Sequence, residues 1–172
     1  MGNYTAPTAI VREDVILGRD SKVWHFCNIY GCKIGDNSQV GSYSEVKSGV
    51  VIGDNCRIQP YVFIPEGTHI GNNVFIGPRV TFLNDKFPTA RKAIEGTWTL
   101  DSVVVEDDVT LGGNVTINPG VKIGRGSFIG AGSVVTRDVP EYSVAWGNPA
   151  RVHGDARTEP YTSKLKSERA KA

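Results

Sequence analysis

The feature that most constrains this chain is a period of six. Every sixth residue from Ile34 reads Ile34, Val40, Val46, Ile52, Ile58, Ile64, Ile70, Ile76 and Phe82. The frame resumes as Val105, Leu111, Ile117, Ile123, Ile129 and Val135, and an earlier run holds Val11, Leu17, Val23 and Ile29. Every position in these runs is Val, Ile or Leu except Phe82. Such self-similarity at a fixed spacing marks a repeat architecture, in which each unit buries its apolar face only by stacking on the next.

Two more columns share the period. Glycine often follows the aliphatic, as at Gly18, Gly35, Gly41, Gly53, Gly71, Gly77, Gly112, Gly124 and Gly130. Small or β-branched residues hold the fifth place, among them Ser21, Cys27, Ser38, Ser44, Cys56 and Val62. Six residues make one short strand and one corner, and three units close a triangular coil of about eighteen residues. The aliphatics point to the axis, β-branched residues suit the flat strands, and glycine is expected where a corner needs unusual backbone angles. These units predict about six coils of an all-β parallel β-helix. The spacing alone does not give its hand.

Two irregularities interrupt the frame. From Ile29 to Ile34 the step is five, so that corner is one residue short. From Phe82 to Val105 the step is twenty-three, so a loop of about residues 83–102 leaves the coil. Long loops in compact domains are usually functional or disordered, and this one carries Asn84, Asp85, Pro88, Arg91 and Trp98. The repeat domain is expected to span residues 1–154. A polar tail follows over 155–172, with either a short helix near Ser163 to Ala170 or disorder.

Composition excludes several classes of function. A formal net charge of +1 gives no electrostatic case for nucleic acid or an anionic membrane surface. No apolar run is long enough to span a bilayer. The start, MGNYTAPTAIVRED, lacks a signal-peptide layout, and Ala6 stands where a myristoylation motif wants Ser or Thr. Cys27, Cys32 and Cys56 have neither disulfide nor zinc spacing. A cytoplasmic protein without a metal is the expectation.

The hexads, the protruding loop and GAGSVVTRDVPEYSVAWGNPARV from Gly130 to Val152 resemble the hexapeptide acyltransferases. That resemblance covers about residues 7 to 153 and implies a left-handed helix and a homotrimer. Acyl-CoA would lie in the cleft between two subunits. Val23-Trp24-His25-Phe26, and Thr81-Phe82-Leu83-Asn84-Asp85 with Pro88, are similar to one subgroup. That subgroup acetylates the 3-amino group of UDP- or dTDP-linked 3-amino-3-deoxy sugars, commonly for surface polysaccharides. It implies acetyl-CoA as co-substrate and a nucleotide-linked amino sugar as acceptor, with the acceptor site at Asn84 and Asp85. The coil register adds Glu66, eighteen residues before Asn84, and Ser48, eighteen before that. His25 is a candidate for sugar contact or for a structural hydrogen bond. The family's cofactor positions match Gly112, Gly113 and Ala131, and Arg137 and Arg151 suit phosphate.

Amine attack on a thioester needs a neutral amine and a place for the oxyanion. Asp85 or Glu66 would take the ammonium proton, Asn84 would orient the amine, and a backbone N–H near Gly112-Gly113 would serve the oxyanion. The loop lacks the histidine that many hexapeptide acetyltransferases carry there, and Trp146 replaces a usual small aliphatic. His69 reads as a strand-surface residue and His153 as a residue beside the tail. Alternatives are an O-acetyltransferase, for which a loop without histidine is a poor fit, and a scaffold, which has no use for such a loop. A hexapeptide carbonic anhydrase would need three converging histidines, and His25, His69 and His153 are badly spaced for that.

Overall fold

The computed structural model describes residues 2–158. The hexads fold as two-residue strands, and the chain turns a corner after each. Three parallel sheets result, here called faces A, B and C in the order the chain visits them. Face A runs from Tyr4–Thr5 through Lys22–Val23, Arg57–Ile58 and Thr110–Leu111 to Ser143–Gly147. Face B includes Glu45–Val46, Phe63–Ile64, Thr81–Phe82 and Thr116–Ile117, and face C includes His69–Ile70 and Lys122–Ile123. Together they form a left-handed β-helix.

The register is the one the period predicts. Phe63 pairs Glu45 and Thr81, and the excursion is absorbed so that Phe82 pairs Ile117. Each inward aliphatic lies on its counterpart one coil away, and nearly all are fully buried. The helix is longer than the hexads imply: about eight turns rather than six. At the N-terminus Thr5 takes the inward position over Val23, without an aliphatic to mark it. At the other end the last coil contracts, with Val139 bridging to Ile123 and Ala145 over Ile129. At this end Ala150–Asp155 returns antiparallel on Ser143–Gly147, and a turn follows to residue 158. The expected helix near Ser163 to Ala170 lies outside the described residues.

The corner glycines require a correction. None of the nine that follow an aliphatic has a positive φ. They are small because the next coil is close: a Cβ on Gly53 would stand 2.6 Å from the Gly71 carbonyl oxygen, and one on Gly112 would stand 2.5 Å from the Ala131 nitrogen. The left-handed residues come two places later. They include Asp20, Asn37, Asn55, Asn73 and Asp108 at corner CA, Phe26, Tyr43, Tyr61, Arg79 and Asn114 at corner AB, and Gly31, Gly49, Gly67 and Gly120 at corner BC. Asn, Asp and Gly tolerate αL, but a bulky residue there costs about 1–2 kcal/mol. At corner AB stacking offsets that cost. Phe26, Tyr43 and Tyr61 form a ladder with ring centroids 4.9 Å apart, and Arg79 covers the last ring.

Among the fifth-place residues, the serines and cysteines are buried donors. Ser21 Oγ donates to the carbonyls of Gly18 and Gly35, and Ser38 Oγ donates to that of Gly53, each at 2.8 Å. Cys27 and Cys56 use Sγ the same way, 3.1 Å from the Gly41 and Gly71 oxygens. All three cysteines are free and buried.

Candidate active site at two corners

The loop leaves the coil at corner BC, where neighbouring coils have glycine. Its ends touch: the Asp101 amide donates to the Asn84 carbonyl at 2.8 Å, and the Gly120 amide donates to the Asp101 carbonyl at 3.0 Å. Asp101 thereby fills the place of a corner residue, and Lys86 Nζ fixes its carboxylate at 3.0 Å. Thr89 caps a short helix, Ala90–Glu95, through the Lys92 amide, and Gly96 closes it in αL. Leu100 covers the Cβ-free side of Gly67. The excursion is thus an ordered lid strapped to the corner.

Beneath it lies a cleft of about 340 Å³. Its apolar lining comes from Phe63, Pro65, Pro88 and Trp98. Its polar lining comes from Lys47, Glu66, Asn84 and Asp85. Asn84 Nδ2 donates to the Glu66 carbonyl at 3.3 Å, which locks the amide over the coil below. Lys47 Nζ stands 4.0 Å from Glu66 Oε1. Asp85 Oδ1 accepts from the Phe87 amide at 2.8 Å, a turn-forming bond that leaves its second oxygen free for a ligand. The carboxylates of Glu66 and Asp85 outnumber the single ammonium of Lys47, so the cleft favours a cationic group.

The expected acceptor residues therefore meet at one place, except two. Ser48 is in the predicted column, but its hydroxyl faces the short corner at Gly31, and Lys47 lines the cleft instead. Lys47 precedes the column by one residue and was legible only from register. His25 lies on corner AB, where Nδ1 is 2.8 Å from Thr8 Oγ1. Within one chain it is a face-width from the cleft.

Gly112, Gly113 and Ala131 also lie on corner AB, higher on the stack. There the backbone differs from corner CA. At CA the second corner residue's amide is capped by a carboxylate or amide from the next coil: Arg19 N by Asp36, Asp36 N by Asp54, Asp54 N by Asn72 and Asn72 N by Asp107. At AB the matching amides of Gly113 and Ala131 have no acceptor among the described residues. Open N–H groups one coil apart, about 5 Å, suit a ligand rich in carbonyl oxygens. Arg137 is exposed on corner BC, two coils above Asn84. Arg151 lies beside corner AB on the returning strand, opposite Trp146. Acceptor and cofactor candidates thus occupy different corners, separated by the width of face B, about 15–20 Å. Among the described residues no group of three potential metal ligands converges, and no helix is long and apolar enough to cross a membrane.

The sequence matches the bacterial transferase hexapeptide family (six repeats) over residues 31–66 and 102–137, on either side of the loop. No curated protein matches it. Among solved structures, a hexapeptide-repeat-containing acetyltransferase from Vibrio cholerae is 29% identical over 84% of this chain and 75% of its own, with a TM-score of 0.52. AntD, an N-acyltransferase from Bacillus cereus solved with dTDP and 3-hydroxybutyryl-CoA, is 19% identical over 97% and 86%, with a TM-score of 0.62. The latter likeness is one of fold. With its six-residue frame, its three parallel faces and these matched repeats, the chain is similar to the bacterial hexapeptide-repeat transferases.

Proposed function

We propose that this transferase moves an acetyl group from acetyl-CoA to the 3-amino group of a nucleotide-linked 3-amino-3-deoxy sugar, in a cytoplasmic homotrimer. The observation that carries the reading is the cleft under the loop. Its lining combines apolar side chains, Trp98 among them, with the polar groups of Lys47, Glu66, Asn84 and Asp85. An amino sugar has the matching halves: a C–H face for the indole and an ammonium for the carboxylates. Acetyl transfer itself draws support from the Vibrio cholerae acetyltransferase.

Glu66 and the free oxygen of Asp85 attract the ammonium form, and one of them takes its proton to release the nucleophile. Asn84, fixed by its bond to the Glu66 carbonyl, orients the nitrogen. The lone pair then forms the C–N bond at the thioester carbonyl, and the open amide of Gly113 is placed to receive the oxyanion. Collapse breaks the C–S bond. The thiolate leaves and takes up the proton that the nitrogen loses. Because the acceptor corner and the amide corner lie apart in one chain, the reaction requires corner BC of one subunit against corner AB of its neighbour. The trimer of the reading supplies that contact.

The test mixes the protein with acetyl-CoA and a panel of UDP- and dTDP-linked 3-amino sugars and follows free thiol. Acceptor-dependent release that falls about a hundredfold in Asn84→Ala, with assembly unchanged, is the expected result. Release with hydroxyl acceptors alone would overturn the amine assignment, and absence of CoA binding would overturn acyl transfer.

A further inference from the structure

Lys47 is the one cation in the lining of the acceptor cleft, and the proposed reaction leaves it unused. Its side chain is only 31% exposed, yet its ammonium makes no hydrogen bond among the described residues. The nearest carboxylate oxygen, Glu66 Oε1, stands 4.0 Å away, beyond hydrogen-bond reach. The ammonium groups of Lys86 and Lys122, by contrast, meet carboxylates at 3.0 and 2.6 Å. The local partner of Lys47 is already taken. Glu45 and Lys47 flank the inward Val46, so both side chains point out from the coil on the same side. Glu45 Oε1, however, accepts from the Tyr30 hydroxyl at 2.8 Å. Tyr30 lies one coil below Lys47. Burial, with the Glu45 carboxylate adding to it, pushes the Tyr30 phenol up to about 12, so it remains a donor and Glu45 remains engaged at neutral pH.

A half-covered ammonium with open donor positions, on the edge of a cleft, calls for an anion from outside the chain. We propose that Lys47 receives a carboxylate on the sugar ring of the acceptor, so that the substrate is a nucleotide-linked 3-amino-hexuronate rather than a 6-deoxy sugar. This rests on the amino-sugar reading above and names its substrate class. The charges then match group by group. Glu66 and Asp85 face the ammonium of the acceptor, and Lys47 faces its carboxylate. Lys47 approaches Glu66, which lies one coil below Asn84, about 5 Å along the axis. That is the scale of a single sugar ring. The diphosphate is the other anion of such an acceptor. It brings two negative charges, which one ammonium beside the Glu66 carboxylate matches poorly, whereas a ring carboxylate brings one.

The test uses acetyl-CoA with matched pairs of UDP- and dTDP-linked 3-amino sugars that differ only in a carboxylate or a methyl group at C5. The parent protein is expected to favour the uronate by about tenfold or more in kcat/KM, the scale of one charged hydrogen bond. Lys47→Met is expected to bring that ratio close to one, chiefly by raising KM for the uronate. Lys47→Arg is expected to keep the preference, which controls for damage to the cleft. Equal use of both sugars by the parent overturns the assignment. So does a loss in Lys47→Met that is the same for both sugars, which is what a diphosphate contact would give. Thiol release by the parent with hydroxyl acceptors and with neither amine would instead remove the amino-sugar reading itself.

Discussion

The same residue type serves opposite needs at neighbouring corner positions, and substitution separates them. Gly53 is pressed against the Gly71 backbone, so Gly53→Ala forces the coils apart and should cost about 1–3 kcal/mol. Gly49 has φ +74° and nothing within 4 Å of a built Cβ. Gly49→Asn should therefore cost only a few tenths of a kcal/mol, as Asn occupies the same conformation at corner CA. Thermal melts of the two variants check the contrast, and equal losses would refute it. The column of glycines was visible in the sequence, but its cause was not, because close approach and positive φ select the same residue. Cysteine gives a second case. Burial, with the Asp14 carboxylate adding to it, pushes the Cys32 thiol up to about 12 from its ordinary 9.0. The unfolded thiol ionises first as pH rises, so the unfolded state loses protons that the folded state keeps, and stability must fall from about pH 9 toward 12. Urea midpoints at pH 8 and 10.5 measure the slope, which Cys32→Val should reduce. Rapid disulfide exchange with an aromatic disulfide reagent in the native state at pH 8 would contradict the burial on which this depends.

At the level of elements, the twenty-three-residue step located the loop because the inward column has no gaps on either side. What it could not show is that the loop closes on itself. Asp101 reaches the Asn84 carbonyl from a corner place in register with Glu66 one coil below and Pro119 one coil above, and no local signal marks that role. The closure predicts separability. Replacing residues 86–99 with a Gly-Gly link keeps the Asn84–Asp101 bond and every strand pair, and short closures carry little entropic cost. The melting temperature should move by only a few degrees, whereas acceptor-dependent thiol release should disappear with Pro88 and Trp98. A variant that unfolds would instead make the loop part of the solenoid's stability. The end coils show the converse limit. Thr5 and Ala145 occupy inward positions without large aliphatics, so hydrophobic spacing passed over both.

For the whole molecule, the decisive fact is that the two sets of candidate residues do not meet within one chain. Glu66, Asn84 and Asp85 stand at corner BC, and the open amides of Gly113 and Ala131 stand at corner AB across face B. Register alone assigned each set to its column, since residues eighteen apart must stack. Which column joins which across subunits is a matter of rotation about an assembly axis, and a single sequence holds no direct trace of it. The proposed trimer makes a prediction that a one-chain site does not share. Asn84→Ala removes the acceptor corner, and Ala131→Trp fills the cofactor corner, so each homotrimer should be inactive. Subunits of the two kinds, unfolded together and reassembled, would regenerate an intact corner BC facing an intact corner AB at roughly one site in four by random mixing within a closed ring. Recovered thiol release near that fraction would place each site between subunits. Mixed assemblies that form but stay inactive would require both corners of one chain to act together, which a separation of about 15–20 Å does not allow without rebuilding the coil.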